Sequence, residues 1–572
     1  MRIPNPITPE LQQRTQHSGY LLGLIGGAII IVAPFLPWAY GRRALDNMTV
    51  LGYPSPMQIL SLVLGVLVVG LLLGRTFYAK KKRRRRVGWV RGAKSAATGA
   101  LVYILLIIIS IAVELDGLVN VEYGGWIALV GALLAFVGTR LMLADRSPTL
   151  AAATARPWLE ILAIAAVMAL ALFGAAFALN MDDGGSFVSF LGFVGTVIAV
   201  LITSGVMGWL SACTQRHRKV LILAAFIVAF AFPLTQNGSD ANMSIAVQVI
   251  IFAATAMGLN IVVGLAGLLD LGYIAFLGAG AFTAAILSKS AFSTVNWHPP
   301  FIVVVIISGT IAATLGLIIG SPTLRVSGDY LAIVTLAFGE IFRISMNNLD
   351  GQDGPNLTHG SNGIPGVPDL NLFGFDFGDT HVLFGIPLGR FANYYFLLLL
   401  IIGLIILVFV RLNSSRIGRG WVAIREDEKA AEAMGVNVFG LKLFAFAGGA
   451  FLAGIAGSVK AHVDVSVTPD QYVFLESAFL LAAIVLGGMG TVLGVLVGAT
   501  LLKLMPEKLR FVSEYRLLIF GLLLVLMMRF RPEGLVPNQR RQLEFHDDDE
   551  DLIEKLEDEI AETGTVKGGG SL

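Results

Sequence analysis

Cysteine is almost absent from this 572-residue sequence, in which Cys213 is the only one. A single cysteine excludes an intramolecular disulfide and any metal site built on several thiolates. The seven histidines are scattered and show no His-x-x-x-His or His-Glu-x-x-His spacing. We therefore expect neither a metal site nor a bound cofactor.

A phosphate-binding loop is missing as well. No Gly-x-x-x-x-Gly-Lys-Ser/Thr segment occurs, and the nearest stretch, Gly88–Ser95, lacks the Gly-Lys step. The chain is therefore not expected to bind or hydrolyse ATP, and we predict that it is not an enzyme. If ATP powers a process in which it takes part, other subunits must supply the ATPase site.

Charge is scarce, and apolar residues take its place. Charged residues make up 14% of the chain, residues of the set AVILMFWYC 56%, and the mean hydropathy is +0.77. Soluble domains carry about 25% charged residues. Apolar runs near the length that crosses a bilayer recur from end to end, so we predict an all-α polytopic membrane bundle of about 14–16 transmembrane segments.

The few charges are segregated, and this orients the chain. Seven consecutive basic residues occupy positions 80–86, and the positive-inside rule places a basic loop at 80–94 in the cytoplasm. Beside membrane segments, such a run favours contact with anionic membrane lipids, and we expect no nucleic acid partner. Alternation of basic and acidic turns then puts both termini in the cytoplasm. The polar start lacks a signal-peptide pattern, so the first apolar run is expected to stay as an anchor.

These patterns divide the chain into four regions. In order, they are a cytoplasmic tail at 1–18, an N-terminal extension of about six transmembrane helices at 19–219, a glycine-rich core of about ten segments at 220–531, and an acidic cytoplasmic tail at 532–572. The core contains a long outer loop at 347–392 with several aspartates and a charged cytoplasmic loop at 411–443.

The charged stretch Arg419–Leu443 separates two apolar runs, Tyr394–Val410 and Phe444–Val459. A charge at the centre of the hydrocarbon costs roughly 2.5–3.5 kcal/mol, so water or another protein is expected to receive the charged side chains of this stretch. They are Asp427, Glu428, Lys429, Glu432 and Lys442. Good helix formers followed by Gly435 predict a short helix that ends at this glycine. We interpret it as a helix on the membrane face that presents a fixed shape to a partner. An ordinary solvated connecting helix is the alternative.

Candidate substrate-path residues were sought among polar side chains of the core. They are Asn260, Tyr273, Tyr330, Thr335 and Glu340. Packing is the alternative explanation for the first four, and pairing with Arg343, three residues on, explains Glu340. Asp270 is expected at a membrane face or in a re-entrant break. Two short apolar segments that meet at 487–491 either line an aqueous cavity or form a tight helical hairpin.

Five ordered blocks carry a resemblance to a known family. They read GLNIVVGLAGLLDLGYIAFLGAGAF, RVSGDYLAIVTLAFGEI, SNGIPGVP, REDEKAAEAMGVNVFGLKL and AIVLGGMGTVLGVLVGA. Over roughly 220–531 the chain resembles the permeases of ABC importers for branched-chain amino acids. The six spans before this region depart from the usual pattern of that family.

The resemblance implies a permease subunit in the bacterial cytoplasmic (inner) membrane that translocates leucine, isoleucine and valine. Its implied partners are a second permease subunit, two cytoplasmic ABC ATPase subunits and an extracytoplasmic solute-binding protein. In that family the charged loop docks into the ATPase. The residues matched to this coupling loop are Arg425, Glu426, Asp427, Glu428, Ala431, Glu432, Ala433 and Gly435.

Three alternatives stay open at this point. A permease for urea or short amides belongs to the same class and looks very similar. A stand-alone secondary transporter or channel belongs to another class, and the docking-type loop disfavours it. A membrane scaffold that recruits partners without transport is the third.

Overall fold

The computed structural model describes residues 9–40, 54–78, 87–143, 150, 154–181, 183–323, 329–352, 354–383, 385–508, 515–530 and 533–536. Helices dominate these residues. In chain order they are α1 (Pro9–Val32), α2 (Pro56–Tyr78), α3 (Trp89–Glu114), α4 (Tyr123–Leu141), α5 (Pro157–Leu179), α6 (Gly184–Ser204), α7 (Val206–Arg216), α8 (Arg218–Ala231), α9 (Asp240–Asn260), α10 (Ile274–Ile286), α11 (Phe301–Thr323), α12 (Asp329–Asn348), α13 (Arg390–Ser414), α14 (Arg416–Glu426), α15 (Glu428–Ala433), α16 (Val438–Asp464), α17 (Phe474–Gly487), α18 (Val492–Lys508) and α19 (Arg516–Phe530).

Thirteen helices of the described part are long and apolar enough to cross a membrane. Helices α10, α18 and α19 are shorter, with 13, 17 and 15 residues. The strands span only two or three residues each. They are β1 (Ile364–Pro365), β2 (Asn371–Leu372), β3 (Phe375–Asp376), β4 (His381–Leu383), β5 (Ile386–Leu388) and β6 (Ser466–Val467). The predicted all-α polytopic bundle is confirmed.

Some helices extend beyond the apolar runs from which they were predicted. Helix α1 begins at Pro9 and α3 at Trp89, so residues 9–18 of the predicted tail and 89–94 of the predicted basic loop are helical. Polar residues continue a helix past the hydrocarbon because water satisfies its first backbone groups. Residues 533–536 of the predicted acidic tail are described, and the Leu535 N–H donates to the Leu486 carbonyl at 2.9 Å. Residue 532, residues 537–572 and positions 80–86 lie outside the described residues.

Contacts divide the chain into two compact units. The first comprises Met1–Asn242, Phe384–Ile386 and Pro506–Ser513, and the second comprises the rest. Within the first, α1 and α4 approach backbone to backbone, because a Cβ on Gly26 would lie 2.5 Å from the Gly131 carbonyl oxygen. Such approach through small residues is typical of helices packed in membranes.

In the second unit, α16 packs on both α10 and α11. A Cβ on Gly454 of α16 would lie 2.6 Å from the Ser308 carbonyl oxygen of α11, and a Cβ on Gly280 of α10 would lie 2.6 Å from the Gly454 Cα. Because these glycines leave room for a neighbouring backbone, the three helices pack closely, and α10 is buried along nearly its whole length. The outer loop joins this unit where β1 pairs antiparallel with β6, with Ile364 opposite Val467.

A broken helix lies in the same unit. Helix α9 continues as a π-helical segment, Ile261–Leu265, after which the chain is non-helical until α10. We call Ile261–Tyr273 the break segment. Asp270 lies in this segment, between the 26-residue apolar helical stretch Asp240–Leu265 and α10. Buried non-helical backbone needs internal hydrogen-bond partners, so the residues around the segment determine its role.

Candidate coupling site and the broken helix

Helix α15 has a hydrogen-bonded cap at each end. The Asp427 carboxylate accepts the Ala430 N–H at 2.9 Å, a typical N-cap. Beyond the other end, Gly435 has φ +82°, its N–H donates to the Glu432 carbonyl at 2.9 Å, and the Val436 N–H donates to the Ala431 carbonyl at 3.1 Å. This is a Schellman motif, which requires glycine at the left-handed position. The short helix thus ends where the sequence predicts.

The predicted coupling residues fall on two sides of this helix. Ala431 is buried and seats the helix, whereas Arg425 is half-buried. The exposed members are Glu426, Asp427, Glu428, Glu432, Ala433 and Gly435. Met434, which is 85% exposed, was not among the predicted coupling residues. It could have been found from the sequence, because it is the only large apolar residue between Arg425 and Gly435.

An ion pair joins α15 to α16. The Lys442 ammonium is 2.6 Å from the Glu428 carboxylate, and the lysine is only 5% exposed. Lys442 was expected to meet water or another protein; instead it is buried within the chain. A buried charge is tolerated when a partner compensates it. The indole of Trp421, fully buried, donates to the Leu441 carbonyl at 2.7 Å and fixes α14 to the same helix.

Arg425 connects these helices to the break segment. Its Nη1 donates to the Gly264 carbonyl at 3.0 Å, inside the π-helical stretch. Gly267, at φ +72°, admits the same side chain, because a Cβ there would lie 2.5 Å from the Arg425 Cγ. A π-helical stretch leaves carbonyl groups without their α-helical partners and often marks a functional position. The arginine supplies one such partner.

Three predicted path residues hold the break segment in place. The Asn260 side chain accepts the Gly490 N–H at 2.9 Å, and the Tyr273 hydroxyl donates to the Gly449 carbonyl at 2.6 Å. The Thr335 hydroxyl accepts the Leu271 N–H at 3.0 Å. All three are at least 99% buried. Their hydrogen bonds match the packing alternative, and they tie the break to α12, α16 and the loop between α17 and α18.

The other two path residues lie apart from this group, both on α12. Tyr330 is 68% exposed. Glu340 accepts the Arg343 Nε–H at 2.8 Å, as the three-residue spacing predicts, and Arg343 also reaches Asp470 at 3.3 Å. The five predicted residues therefore do not form one site in this conformation.

Asp270 lies in the break and is 1% exposed. Its Oδ1 accepts the Gly272 N–H at 2.9 Å. Burial raises the pKa of Asp270 to about 7, and the Gly272 hydrogen bond opposes that rise. A carboxyl group with this pKa is largely protonated below neutral pH, which lets it remain in an apolar layer.

The hairpin of α17 and α18 is closely packed. A Cβ on Gly487 would lie 2.6 Å from the Gly494 carbonyl carbon, and the Asn260 side chain secures the intervening loop. This geometry matches the tight-hairpin alternative for residues 487–491.

A multi-pass helical bundle, with a break segment that contacts α14 and a charged helix α15 beside it, is an architecture that suits a membrane transport permease. The family described as "Branched-chain amino acid transport system / permease component" matches residues 241–528. The chain belongs to this family.

Curated relatives agree with this assignment. Over 340 residues the chain is 40% identical to the high-affinity branched-chain amino acid transport system permease protein LivM of Escherichia coli K12 and 39% identical to LivM of Salmonella typhimurium. Each match covers 57% of this chain and 77% of the relative. The permease protein LivH of E. coli is 29% identical over 132 residues, 23% of this chain and 42% of LivH. No solved structure matches the chain.

Proposed function

We propose that this protein is a membrane permease subunit of an ATP-driven importer that translocates branched-chain amino acids. The family and the names of its LivM relatives support the substrate class. The protein is a transport subunit and not an enzyme, and ATP hydrolysis belongs to its partners. We place it in the inner membrane with both termini in the cytoplasm, on the strength of the charge distribution.

The proposed assembly contains a second permease, two ATPase subunits and a solute-binding protein. One supporting observation is that two differently named permeases of one E. coli system, LivM and LivH, both resemble this chain. An importer of this class needs the other subunits for energy and for substrate delivery. In this assignment the exposed members of the coupling set and Met434 face the ATPase, while Ala431 and Arg425 contact the rest of the chain.

The contact between Arg425 and the Gly264 carbonyl carries the mechanistic proposal. Helix α15 is held rigidly by its caps and by the Glu428–Lys442 ion pair. A displacement of its exposed side by the ATPase therefore moves the neighbouring helices as well. Arg425 passes the displacement to the break segment. Because hydrogen bonds hold that segment to α12, α16 and the loop between α17 and α18, its displacement rearranges the helices that line a translocation path.

The outer loop is the proposed contact for the loaded binding protein. Phe373 occupies the tip of the β2–β3 hairpin, with φ +53° and 96% exposure. Exposing a whole aromatic side chain to water is unfavourable for an isolated protein and typical of an interface anchor. A cavity of about 700 Å³ at the start of the outer loop, lined by Asn347, Asp350, His359, Asn362 and Asp470, offers polar groups for the zwitterionic end of an amino acid.

The docking side is tested by Met434→Arg, with Phe373→Arg as the matched control because both replace an exposed apolar residue. We expect the ATPase subunits to co-purify with the wild-type chain and with the Phe373 variant, and to be lost from the Met434 variant. Retention of the ATPases by the Met434 variant would contradict the proposed docking surface. A wild-type chain that transports leucine without any ATPase would contradict the importer itself.

A further inference from the structure

The first compact unit contains a groove that transport does not explain. It has a volume of about 510 Å³ and lies between α3, α4 and α6. Lys94 and Arg140 stand at one end, and the remaining wall is formed mostly by small residues. These include Gly99, Val102, Gly192, Gly195, Thr196 and Ala199.

The two cations share one membrane face. Lys94 lies in the second turn of α3 and Arg140 in the last turn of α4, which run in opposite directions across the bundle. Within the part of the chain that the structure describes, neither side chain forms an ion pair. By contrast, the basic residues Arg216 and Lys442 do pair with carboxylates. The Arg140 guanidinium lies over the Phe136 ring, 5.1 Å from its centroid, a contact that leaves its charge in place. Two cations that no described carboxylate neutralises, at one end of a groove, attract an anion.

The walls beyond them suit an apolar chain. The Thr98 hydroxyl donates to the Lys94 carbonyl and the Thr196 hydroxyl to the Gly192 carbonyl, each at 2.8 Å, so both hydroxyl hydrogens are used within the helices. Val102 is 47% exposed at the far end. From Lys94 to Val102, α3 rises about 12 Å, at roughly 1.5 Å per residue. This spans most of one leaflet, whose hydrocarbon is about 15 Å thick.

We propose that this groove binds an anionic phospholipid, with its phosphate between Lys94 and Arg140 and an acyl chain along α3 and α6. The two cations match the charge of the lipid phosphate, and the apolar surface beyond them matches the acyl chain. Basic pockets between helices select anionic lipids in this way. The seven basic residues at 80–86 precede the same end of α3 in the sequence and favour the same lipid face. The proposal is independent of the transported substrate.

Native mass spectrometry of the full-length chain in detergent, with phosphatidylglycerol or phosphatidylcholine added, tests it. The head-group variant is Lys94→Gln with Arg140→Gln, and Arg91→Gln, an exposed position of α3, is its control. The chain-blocking variant is Gly195→Leu, because a Cβ there meets nothing within 4 Å and the side chain would fill the groove. Gly70→Leu, at an equally open and exposed glycine of α2, is its control.

We expect the wild type and both controls to retain phosphatidylglycerol in preference to phosphatidylcholine. The double variant should retain about twenty-fivefold less phosphatidylglycerol, a factor of roughly five for each basic residue. The charge-preserving pair Lys94→Arg with Arg140→Lys should restore retention, which separates charge from misfolding. Equal retention of the two lipids, unchanged retention in Gly195→Leu, or full displacement by inorganic phosphate would overturn the proposal.

Discussion

At the residue scale, Asp270 has the clearest consequence for stability. Its folded-state pKa of about 7 lies above the ordinary value of 3.8. As pH rises from about 4 to 7, the unfolded chain loses this proton while the folded chain keeps it, so the free energy of unfolding falls. We expect Asp270→Asn to raise the melting temperature relative to wild type by a few degrees at pH 8 and by less at pH 5.

The control for this prediction is Asp379→Asn, at an exposed aspartate of the outer loop. It should shift the melting temperature equally little at both pH values. Thermal unfolding of the detergent-solubilised chain, followed by tryptophan fluorescence, measures both variants. If Asp270→Asn shifts the melting temperature equally at both pH values, the pKa of Asp270 is not raised on folding, and the prediction is wrong.

Residue contacts that are close in sequence could be predicted, and distant ones could not. The Glu340–Arg343 pair follows from helical spacing, and the helix end at Gly435 follows from the preference for glycine there. The bonds from Asn260 to Gly490 and from Arg425 to Gly264 join residues 230 and 161 positions apart. Spacing carries no information at such separations, so Asn260 was interpreted as a path residue although its side chain holds a loop.

At the element scale, the proposed coupling requires that α14 move the break segment through the hydrogen bond from Arg425 to the Gly264 carbonyl. Arg425→Ala should leave ATPase co-purification unchanged and lower ATP-driven uptake by about tenfold, since a charged hydrogen bond contributes roughly 1.5–3 kcal/mol. Uptake into proteoliposomes of the assembled complex measures this effect.

Arg419→Ala is the matched control on the same helix. Its guanidinium is exposed and forms a long hydrogen bond of 3.5 Å to the Ser414 carbonyl of the adjoining helix end, so uptake should stay at the wild-type rate. Wild-type uptake by the Arg425 variant would mean that the bond carries no coupling. Loss of the ATPases from that variant would make Arg425 a docking residue instead of a link.

The elements themselves were predictable where hydrophobicity defines them. Apolar runs give the long spans because length and composition suffice for crossing a membrane. The π-helical stretch at Ile261–Leu265 lies inside an apolar run and was not predicted. The end of α6 at Gly205, which has φ +84°, was also missed, although Thr203, Ser204 and the glycine itself interrupt the apolar run there. The short strands of the outer loop were also missed, because two or three residues carry no periodicity.

At the scale of the whole molecule, the membrane orientation can be tested by cysteine labelling, because only one native cysteine has to be removed. Cys213 is the only cysteine and is buried, so Cys213→Ser gives a cysteine-free chain. Phe373→Cys in this background should react with an impermeant maleimide added outside intact spheroplasts. Met434→Cys should react only after permeabilisation. Both positions are more than 80% exposed, so access and not burial decides labelling.

Labelling of Met434→Cys from outside would reverse the proposed topology and remove the ATPase from the coupling helix. Labelling of both positions from outside would place them on one face and contradict the alternation of charged turns. The alternation of basic and acidic turns along the chain predicts that Phe373 and Met434 lie on opposite sides of the membrane. The sequence offers no comparable signal for the role of the six preceding spans.

The most direct test of the central claim is leucine uptake by proteoliposomes that contain the chain, its second permease and the ATPase pair, with leucine-loaded binding protein outside. We predict uptake that requires ATP, is inhibited by isoleucine and valine but not by urea, and is abolished by Met434→Arg. Uptake that proceeds without ATP, or that urea inhibits and valine does not, would contradict the account.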